Sequence, residues 1–233
     1  MLGNERLMEI VGSSAMLAGL SPEDGRKFIE CGRERRVKKG TLLFHQGEPA
    51  EAFFILTEGR LRLTQITPNG DQVILNYFEP GDGVGIIAVL SEINYPAYGE
   101  VVKDSAVLCW DRATARQLML QIPRLTLNGM AMMAGRFARL QKRYQEMATQ
   151  RVEQRVANTL LRLVRQFGKR VDDGVLIDMV LSRQDLAEMT GTNLFNVSRI
   201  ISRWEQDGVV RTGRKRVVLL KAHELVQLIE GDS

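Results

Sequence analysis

The sequence predicts an α+β fold with a β-rich N-terminal domain, a long helix and a C-terminal winged helix-turn-helix domain. Three observations predict it: glycines divide short apolar strands over residues 37–112, an apolar seam follows Pro123, and residues 182–221 read as helix, turn, helix and hairpin. The N-terminal domain, residues 1–122, is expected to be a double-stranded β-helix, or jelly roll. We assign the long helix to residues 123–150 and the winged domain to residues 151–233.

With 233 residues, 44% of them hydrophobic, the chain can form two domains that each bury a core. Its net charge of +4 is mild, so the placement of charge is more informative than the total. Cys31 and Cys109 form no CxxC pattern, so neither a zinc site nor a disulfide is predicted, and a reducing cytoplasm fits. No run approaches the roughly 20 apolar residues of a membrane span, and no signal peptide is expected.

The N-terminal domain is expected to contain a helix that starts at residues 21–24, where Ser21 precedes Pro22 and two acidic residues. Apolar segments punctuated by glycine then indicate a small β-barrel or roll. A hairpin turn is predicted at residues 68–71, with the sequence Pro-Asn-Gly-Asp. The predicted strand segments are residues 53–56, 61–64, 73–75 and 106–108.

The helix after Pro123 carries an apolar seam whose members are spaced alternately three and four residues apart. Basic residues flank the seam, as expected for a solvated pair of helices: Arg136, Arg139, Lys142 and Arg143. We expect a parallel homodimer; the alternative is that the stripe packs on the chain's own β-domain. The predicted interface residues are Met130, Met133, Phe137, Leu140, Tyr144 and Met147.

The C-terminal domain is expected to open with an amphipathic helix over residues 153–168. A polar turn at residues 169–174 and a strand at residues 175–180 follow in this prediction. These elements complete a winged architecture around the helix-turn-helix.

Capping residues predict the helix-turn-helix itself. Ser182, with Asp185 three residues on, starts the first helix, and Gly191 ends it. Asn193 caps the second helix, whose apolar residues recur at helical spacing and whose polar side suits a DNA major groove. After Gly208, a hairpin carries three cations at its tip, in the sequence Thr212-Gly213-Arg214-Lys215-Arg216.

Positive charge is concentrated in this segment. Residues 182–221 hold eight Lys or Arg against four Asp or Glu, an excess equal to that of the whole chain. A surface that binds duplex DNA needs such an excess to neutralise phosphates. A solvated basic helical hairpin is the alternative, and the addition of the cationic wing favours DNA binding.

Several motifs resemble those of the Crp/Fnr family of bacterial transcription regulators, and together they cover nearly the whole chain. Residues 16–21, 39–40, 46–48, 54–59 and 78–82 resemble the first helix and the cyclic-nucleotide-binding β-roll, and residues 182–187, 191 and 197–199 resemble the helix-turn-helix. The resemblance implies a homodimer on a pseudo-palindromic operator in double-stranded DNA, with RNA polymerase as a further partner. It also implies that the β-rolls sense a signal and that the long helices pass it to the DNA-binding domains.

The nucleotide-recognition positions depart from the family pattern. Ile86 stands where nucleotide-binding members carry a glutamate for the ribose, and Pro96 and Ala97 align with the Arg-Ser pair for the cyclic phosphate. An apolar side chain cannot hydrogen-bond a ribose hydroxyl, and loss of the arginine removes the charge partner of a buried phosphate. Cyclic AMP is therefore not expected to bind in the usual way. A hydrophobic effector, or none, is the hypothesis, with a pocket formed by Ile86, Ile87, Pro96, Ala97, Phe137, Leu140, Gln141 and Tyr144.

No cofactor and no metal ligand is predicted. The iron-sulfur branch of the family uses four cysteines, and this chain has two. A haem-dependent or other small-molecule gas or redox sensor is the alternative, and it draws attention to Cys31, His45, Cys109 and His223. We expect His45 to be structural or at the surface and Cys109 to be a small buried hydrophobe.

The second helix of the motif also departs from the family. Leu194 and Phe195 replace an Arg-Glu pair, whereas Arg199 keeps the later arginine. Arg199 is expected to contact guanine, Phe195 a thymine methyl and Asn196 an adenine edge. Residues at helix ends and on the wing are expected to contact phosphates: Arg183, Thr192, Ser198, Arg203 and Lys215. Asn193 completes the predicted DNA-binding set.

Two other classes compete with a DNA-binding regulator. An enzyme is disfavoured because no His–carboxylate cluster, phosphate loop or nucleophile elbow appears. A ligand-binding module that acts on another protein is also disfavoured, because such a module does not need cations on the wing and the second helix. Gel-shift assays against random duplexes separate this second class from a DNA-binding protein.

Overall fold

The computed structural model describes residues 4–231 and divides into two compact units, one ending at Arg139 and one starting at Leu140. The first unit combines a β-roll with short helices and the first part of a long helix. Its elements are α1 (Asn4–Gly12), α2 (Pro22–Glu30), β1 (Arg33–Val37), β2 (Leu42–Phe44), β3 (Ala52–Ile66), β4 (Gln72–Phe78), β5 (Gly83–Val84), α3 (Ile87–Leu90), β6 (Tyr98–Asp111), α4 (Arg112–Gln121) and α5 (Pro123–Thr149), which continues into the second unit.

The strands of the β-roll pair antiparallel in the order β1-β6-β3-β4, with β2 also on β6 and β5 on β3. Segments 53–56 and 61–64, predicted as separate strands on either side of Gly59, lie in one continuous strand, β3. Gly59 has φ 91°, and an added Cβ would lie 2.4 Å from the Asp104 carbonyl oxygen, so only glycine fits inside this bulged strand. The hairpin turn predicted at residues 68–71 is confirmed, because Ile66 pairs with Gln72 across it.

Apolar side chains fill the β-roll in two clusters. In one, Phe28 of α2 stacks on Trp110 of β6 with ring centroids 4.3 Å apart, and the Trp110 indole N–H donates to the Phe28 carbonyl at 2.8 Å. The buried indole therefore has a partner for its polar atom. Phe44 and Tyr95 stack in the other cluster, also with centroids 4.3 Å apart.

The second unit contains the rest of α5 and a helical domain with a four-stranded antiparallel sheet. The sheet order is β7-β8-β10-β9. Seven residues of α6 are buried, among them Val156, Leu160, Leu163 and Phe167 at helical spacing, as its amphipathic sequence predicts. The elements are α6 (Val152–Phe167), β7 (Gly168–Val171), β8 (Gly174–Ile177), α7 (Arg183–Thr190), α8 (Leu194–Gln206), β9 (Val210–Gly213), β10 (Arg216–Leu219) and α9 (Ala222–Glu230).

Two predictions in this unit were wrong in detail. Residues 169–174 are not simply a polar turn, because Gly168–Val171 forms β7 and pairs with β8. The strand predicted at residues 175–180 ends at Ile177, after which the Asp178 N–H donates to the Phe167 carbonyl at 2.8 Å. This hydrogen bond continues the register of the β7–β8 pairing by one residue beyond Ile177.

Candidate nucleic-acid interface

Helix α7 begins and ends at the residues that its capping pattern predicts. The Asp185 N–H donates to Ser182 Oγ at 3.0 Å, and the Ser182 N–H donates to Asp185 Oδ2 at 2.7 Å. At the other end, Gly191 adopts φ 62° in the left-handed region, where glycine is favoured. Both ends of the helix before the turn are therefore fixed by local hydrogen bonds and backbone geometry.

Helix α8 presents one apolar face to the domain and the opposite face to solvent. The Asn196 N–H donates to Asn193 Oδ1 at 2.9 Å, which confirms Asn193 as the cap, and Val197, Ile201 and Trp204 are buried. Phe195 lies on the outward side with 73% of its surface exposed. Leu194, the residue before it, is also exposed, so the start of α8 presents two apolar side chains to solvent.

The arginines on and near α8 differ in whether they form an ion pair with a glutamate of the protein. Arg203 forms an ion pair with Glu153 of α6, which also accepts the Trp204 indole N–H at 3.0 Å. Arg183 lies 4.0 Å from Glu205, measured from Nη2 to Oε2. Arg199 is exposed and has no hydrogen-bond or ion-pair partner among residues 4–231. Arg199 is therefore the arginine of α8 whose guanidinium is available to an external ligand.

The polar residues predicted around the turn lie together. The Asn196 side-chain amide donates to Thr192 Oγ1 at 3.0 Å, next to the capping carbonyl of Asn193. Ser198 is half-buried on α8, one residue before Arg199. A cleft of about 600 Å³ runs along this side of the unit, and its lining includes Arg151, Glu153, Asn196, Arg199 and Arg203. Arg151 and Glu153 lie outside the helix-turn-helix pattern, so that pattern could not predict them at this site.

The wing is a tight hairpin held against α8. Its turn consists of Arg214 and Lys215, and Lys215 has φ 57°. Glu205 of α8 accepts hydrogen bonds from Thr212 Oγ1 at 2.7 Å and from the Thr212 N–H at 2.9 Å, and these bonds lower the pKa of Glu205. Lys215, together with Arg214 and Arg216, is exposed at the tip. The hairpin therefore presents cations from a fixed position.

The stripe on α5 is largely exposed along the helix. Met133 differs from the other members because it is half-buried and packs against the core of the β-roll. The other five predicted interface residues have 57–76% of their surface exposed: Met130, Phe137, Leu140, Tyr144 and Met147.

Arg136 corrects the expectation that the basic residues flanking the stripe are all solvated. Its guanidinium donates to the Gly83 carbonyl and lies 5.6 Å from the centre of the Phe78 ring. Burial and the nearby Arg139 lower the pKa of Arg136, while the charge of Asp82 opposes that shift. Helical periodicity cannot foresee this contact, because it depends on the strand that the helix packs against.

The residues of the hypothetical effector pocket have different environments. Ile86 is wholly buried in the β-roll core, Ala97 is also buried, Ile87 is half-buried and Pro96 is exposed. Phe137, Leu140, Gln141 and Tyr144 are exposed on α5. Ile86 therefore contributes to packing in this structure.

The candidate ligands for haem or metal are placed as follows. His45 is exposed, with Nδ1 3.1 Å from Glu48 Oε2, and His223 is exposed on α9. Cys31 is exposed and Cys109 is half-buried. Within residues 4–231, no group of three or more His, Cys, Asp or Glu side chains is arranged to hold a metal ion. No helix in the same part of the chain is long and apolar enough to span a bilayer.

Comparison with known protein families matches both units. The cyclic nucleotide-binding domain family matches residues 34–121, and the Crp-like helix-turn-helix domain family matches residues 154–228. The chain belongs to the Crp/Fnr family of transcription regulators. Crp/Fnr members bind DNA through the helix-turn-helix and are dimeric, and α7 and α8 form the helix-turn-helix of this regulator.

Individual Crp/Fnr proteins resemble this chain over most of its length. The transcriptional activator protein anr of Pseudomonas aeruginosa is 27% identical over 85% of this chain and 81% of its own. The cyclic AMP receptor protein of Thermus thermophilus is 26% identical over 94% of this chain and 98% of its own. The structure of FixK2 from Bradyrhizobium japonicum covers 84% of this chain and 96% of its own, with 23% identity and a TM-score of 0.74, which indicates a shared fold.

Proposed function

We propose that this regulator binds a pseudo-palindromic DNA site as a homodimer, with α8 of each copy in the major groove and each wing on the backbone. In this proposal residues 1–122 form the sensor domain, residues 123–150 the dimerisation helix and residues 151–233 the DNA-binding domain. Two copies suit this motif because helix-turn-helix dimers contact half-sites about one duplex turn apart.

Arg199 is the observation that carries the proposal. It is exposed on the outward side of α8 and has no protein partner within residues 4–231, whereas Arg203 is paired with Glu153. A free guanidinium on a groove-facing helix suits the O6 and N7 atoms of guanine, which arginine contacts in bidentate fashion. We assign Arg199 to guanine, the exposed Phe195 to a thymine methyl and Asn196 to an adenine edge.

The remaining polar residues of the motif are assigned to the DNA backbone. The wing cation Lys215 is exposed and lies on the tight turn, so it can approach a phosphate without rearranging the domain. Residues at the helix ends share this role, and their contacts fix the orientation of the domain on the duplex: Arg183, Thr192, Asn193, Ser198 and Arg203.

Selection of bound duplexes from a random pool tests this division of roles. Arg199→Ala is expected to lose preference at one base pair of each half-site, by about 1–3 kcal/mol. Lys215→Ala is expected to weaken all duplexes alike and to reduce the slope of log affinity against log salt by about 1.

Arg116→Ala is the matched control, because Arg116 is an exposed arginine of the β-roll unit that pairs with Glu92. It is expected to leave both quantities unchanged. Equal loss of sequence preference in the Arg199 and Lys215 variants would contradict the assignment.

We also propose that cyclic AMP is not the effector. Ile86 is wholly buried and apolar, and Pro96 and Ala97 provide no cation for a cyclic phosphate. Titration calorimetry is expected to give no saturable heat at micromolar cyclic AMP, while the Thermus thermophilus cyclic AMP receptor protein serves as the positive control. Saturable micromolar binding to this chain would overturn the proposal. A hydrophobic effector at the eight predicted pocket residues, or no effector, remains our hypothesis.

The dimer and its further partners complete the proposal. The exposed apolar stripe of α5 supports a helix-to-helix interface between two copies, since it would otherwise leave large apolar side chains in water. We assign RNA polymerase as the protein partner at the promoter and the cytoplasm as the location, both by analogy with the family. The protein acts by binding and has no enzymatic role in this proposal.

A further inference from the structure

The first turn of α8 exposes apolar surface. Leu194 and Phe195 are the first two residues of α8, and 48% and 73% of their surfaces are exposed. Asn193 accepts the Asn196 N–H at 2.9 Å and so fixes this turn of the helix. In a helix-turn-helix, the N-terminal residues of the second helix contact base edges in the major groove. The two apolar side chains therefore lie where α8 would meet base edges.

Phe195 lies on the same side of α8 as Arg199. The two residues are four positions apart, which places one above the other on a helix and about 6 Å apart along its axis. Arg199 is also exposed, and it is the residue that we assign to guanine. Base pairs follow each other at about 3.4 Å along the duplex. A helix that lies along the groove therefore brings Phe195 to a base pair one or two steps from that guanine.

An apolar side chain suits one feature of the major groove, the methyl group at C5 of a pyrimidine. The other groups that bases present there are hydrogen-bond donors and acceptors. Thymine carries this methyl group, and 5-methylcytosine carries it at the same position. Cytosine and uracil have only a hydrogen atom at C5, so they offer less apolar surface to the ring of Phe195.

The start of α8 has no carboxylate for an unmodified cytosine. A carboxylate is the usual acceptor for the N4 amine of cytosine, and α8 contains no Asp or Glu before Glu205. Glu205 itself accepts two hydrogen bonds from Thr212 of the wing, at 2.7 and 2.9 Å. The side chains of the first turn thus favour a pyrimidine that carries a methyl group.

We propose that Phe195, with Leu194 beside it, binds the C5 methyl group of a pyrimidine in each half-site. The regulator then accepts thymine or 5-methylcytosine at this position and discriminates against unmethylated cytosine. Recognition of this kind depends on the proposed function, in which α8 enters the major groove. It adds a form of regulation, because methylation of a cytosine at this position strengthens binding without a change in base sequence.

Duplexes that differ by one methyl group test the proposal on the full-length protein by fluorescence anisotropy. The starting duplex is the one selected from the random pool, and deoxyuridine replaces each thymine in turn, in both half-sites. At one thymine position the Kd of the wild-type protein should rise about fourfold per half-site, because burial of a single methyl group is lost. In Phe195→Ala the same replacement should leave the Kd unchanged.

A second set of duplexes tests 5-methylcytosine separately from thymine. A cytosine–guanine pair replaces the pair identified with deoxyuridine, and its cytosine is either unmodified or methylated at C5. The wild-type protein should bind the methylated duplex about fourfold more tightly per half-site, and Phe195→Ala should bind both alike. Leu194→Ala should reduce both differences. Val226→Ala is the matched control and should retain them, because Val226 is an exposed apolar residue of α9 in the same unit.

The outcomes distinguish this proposal from the DNA-binding proposal. Equal Kd values for thymine and deoxyuridine at every position of a duplex that the wild-type protein binds with sequence preference would overturn methyl recognition and leave DNA binding intact. A full deoxyuridine effect in Phe195→Ala, or equal binding of cytosine and 5-methylcytosine by the wild-type protein, would also overturn it. Failure of the wild-type protein to bind any duplex would contradict the proposed function and, with it, methyl recognition.

Discussion

At the scale of single residues, ion pairs within the protein determine which arginines of the DNA-binding unit are available to bind DNA. Glu153 pairs with Arg203 and also accepts the Trp204 indole N–H, whereas Arg199 has no partner within the described residues. The caps at Ser182 and Asn193 could be predicted, because a cap and its partner lie three residues apart. The role of Glu153 could not, because it and Trp204 are 51 positions apart in the sequence.

Glu153→Gln is expected to increase the affinity for duplexes of any sequence. The glutamine can still accept the Trp204 indole N–H, but it no longer holds the Arg203 guanidinium as an ion pair. In the unmodified protein the ion pair with Glu153 competes with the phosphate contact assigned to Arg203. Without this competitor the contact should form more fully, so the slope of log affinity against log salt should steepen by up to about 1. Fluorescence anisotropy over a series of salt concentrations measures this slope.

Glu92→Gln is the control for this substitution. It removes the same charge from an exposed ion pair with Arg116 in the β-roll unit. The control should leave the slope unchanged. An unchanged or shallower slope in Glu153→Gln would show that the ion pair does not restrain Arg203.

At the scale of elements, the sequence predicted the helix ends that are fixed by residues a few positions away in the chain. The ends of α7 and the start of α8 follow from the residues at their caps. Strand β7 was missed because all four of its residues are exposed, so the sequence shows no apolar alternation there. The contact of Arg136 with the Gly83 carbonyl was missed for a different reason: helical spacing cannot identify the neighbour of each face.

The cap of α8 gives a prediction at this scale. Asn193→Ala removes the side-chain oxygen that accepts the Asn196 N–H, so the free energy of unfolding of the DNA-binding unit should fall by about 1 kcal/mol. Asn193→Gly should lower it by only a few tenths of a kcal/mol, because glycine is itself tolerated at this position of a helix. Urea denaturation followed by tryptophan fluorescence compares the two, in a Trp110→Phe background so that the signal comes from Trp204. An unchanged free energy of unfolding in Asn193→Ala would show that the cap hydrogen bond does not stabilise α8.

At the scale of the whole molecule, the stripe on α5 was predicted from spacing alone, and five of its six members are exposed. Met133 departs from the pattern because the β-roll, whose packing no helical period describes, covers part of its side chain. The folds of the two units were predictable, whereas contacts between distant segments needed the structure.

The stripe leads to a prediction about the assembled molecule. Leu140→Glu places a carboxylate in the centre of the proposed helix-to-helix interface, opposite the same substitution in the second copy. Burying two like charges without partners is strongly unfavourable, so the dimer should dissociate with a Kd at least about 100-fold higher. Sedimentation velocity over a range of concentrations measures this change. The affinity for a palindromic site should fall with it, because each half-site then binds separately.

Ala138→Glu is the matched control, because Ala138 is an exposed residue of α5 outside the stripe. This substitution should leave the dimer intact. If Leu140→Glu sediments as a dimer, or if both variants dissociate alike, the stripe is not the surface that joins the two copies.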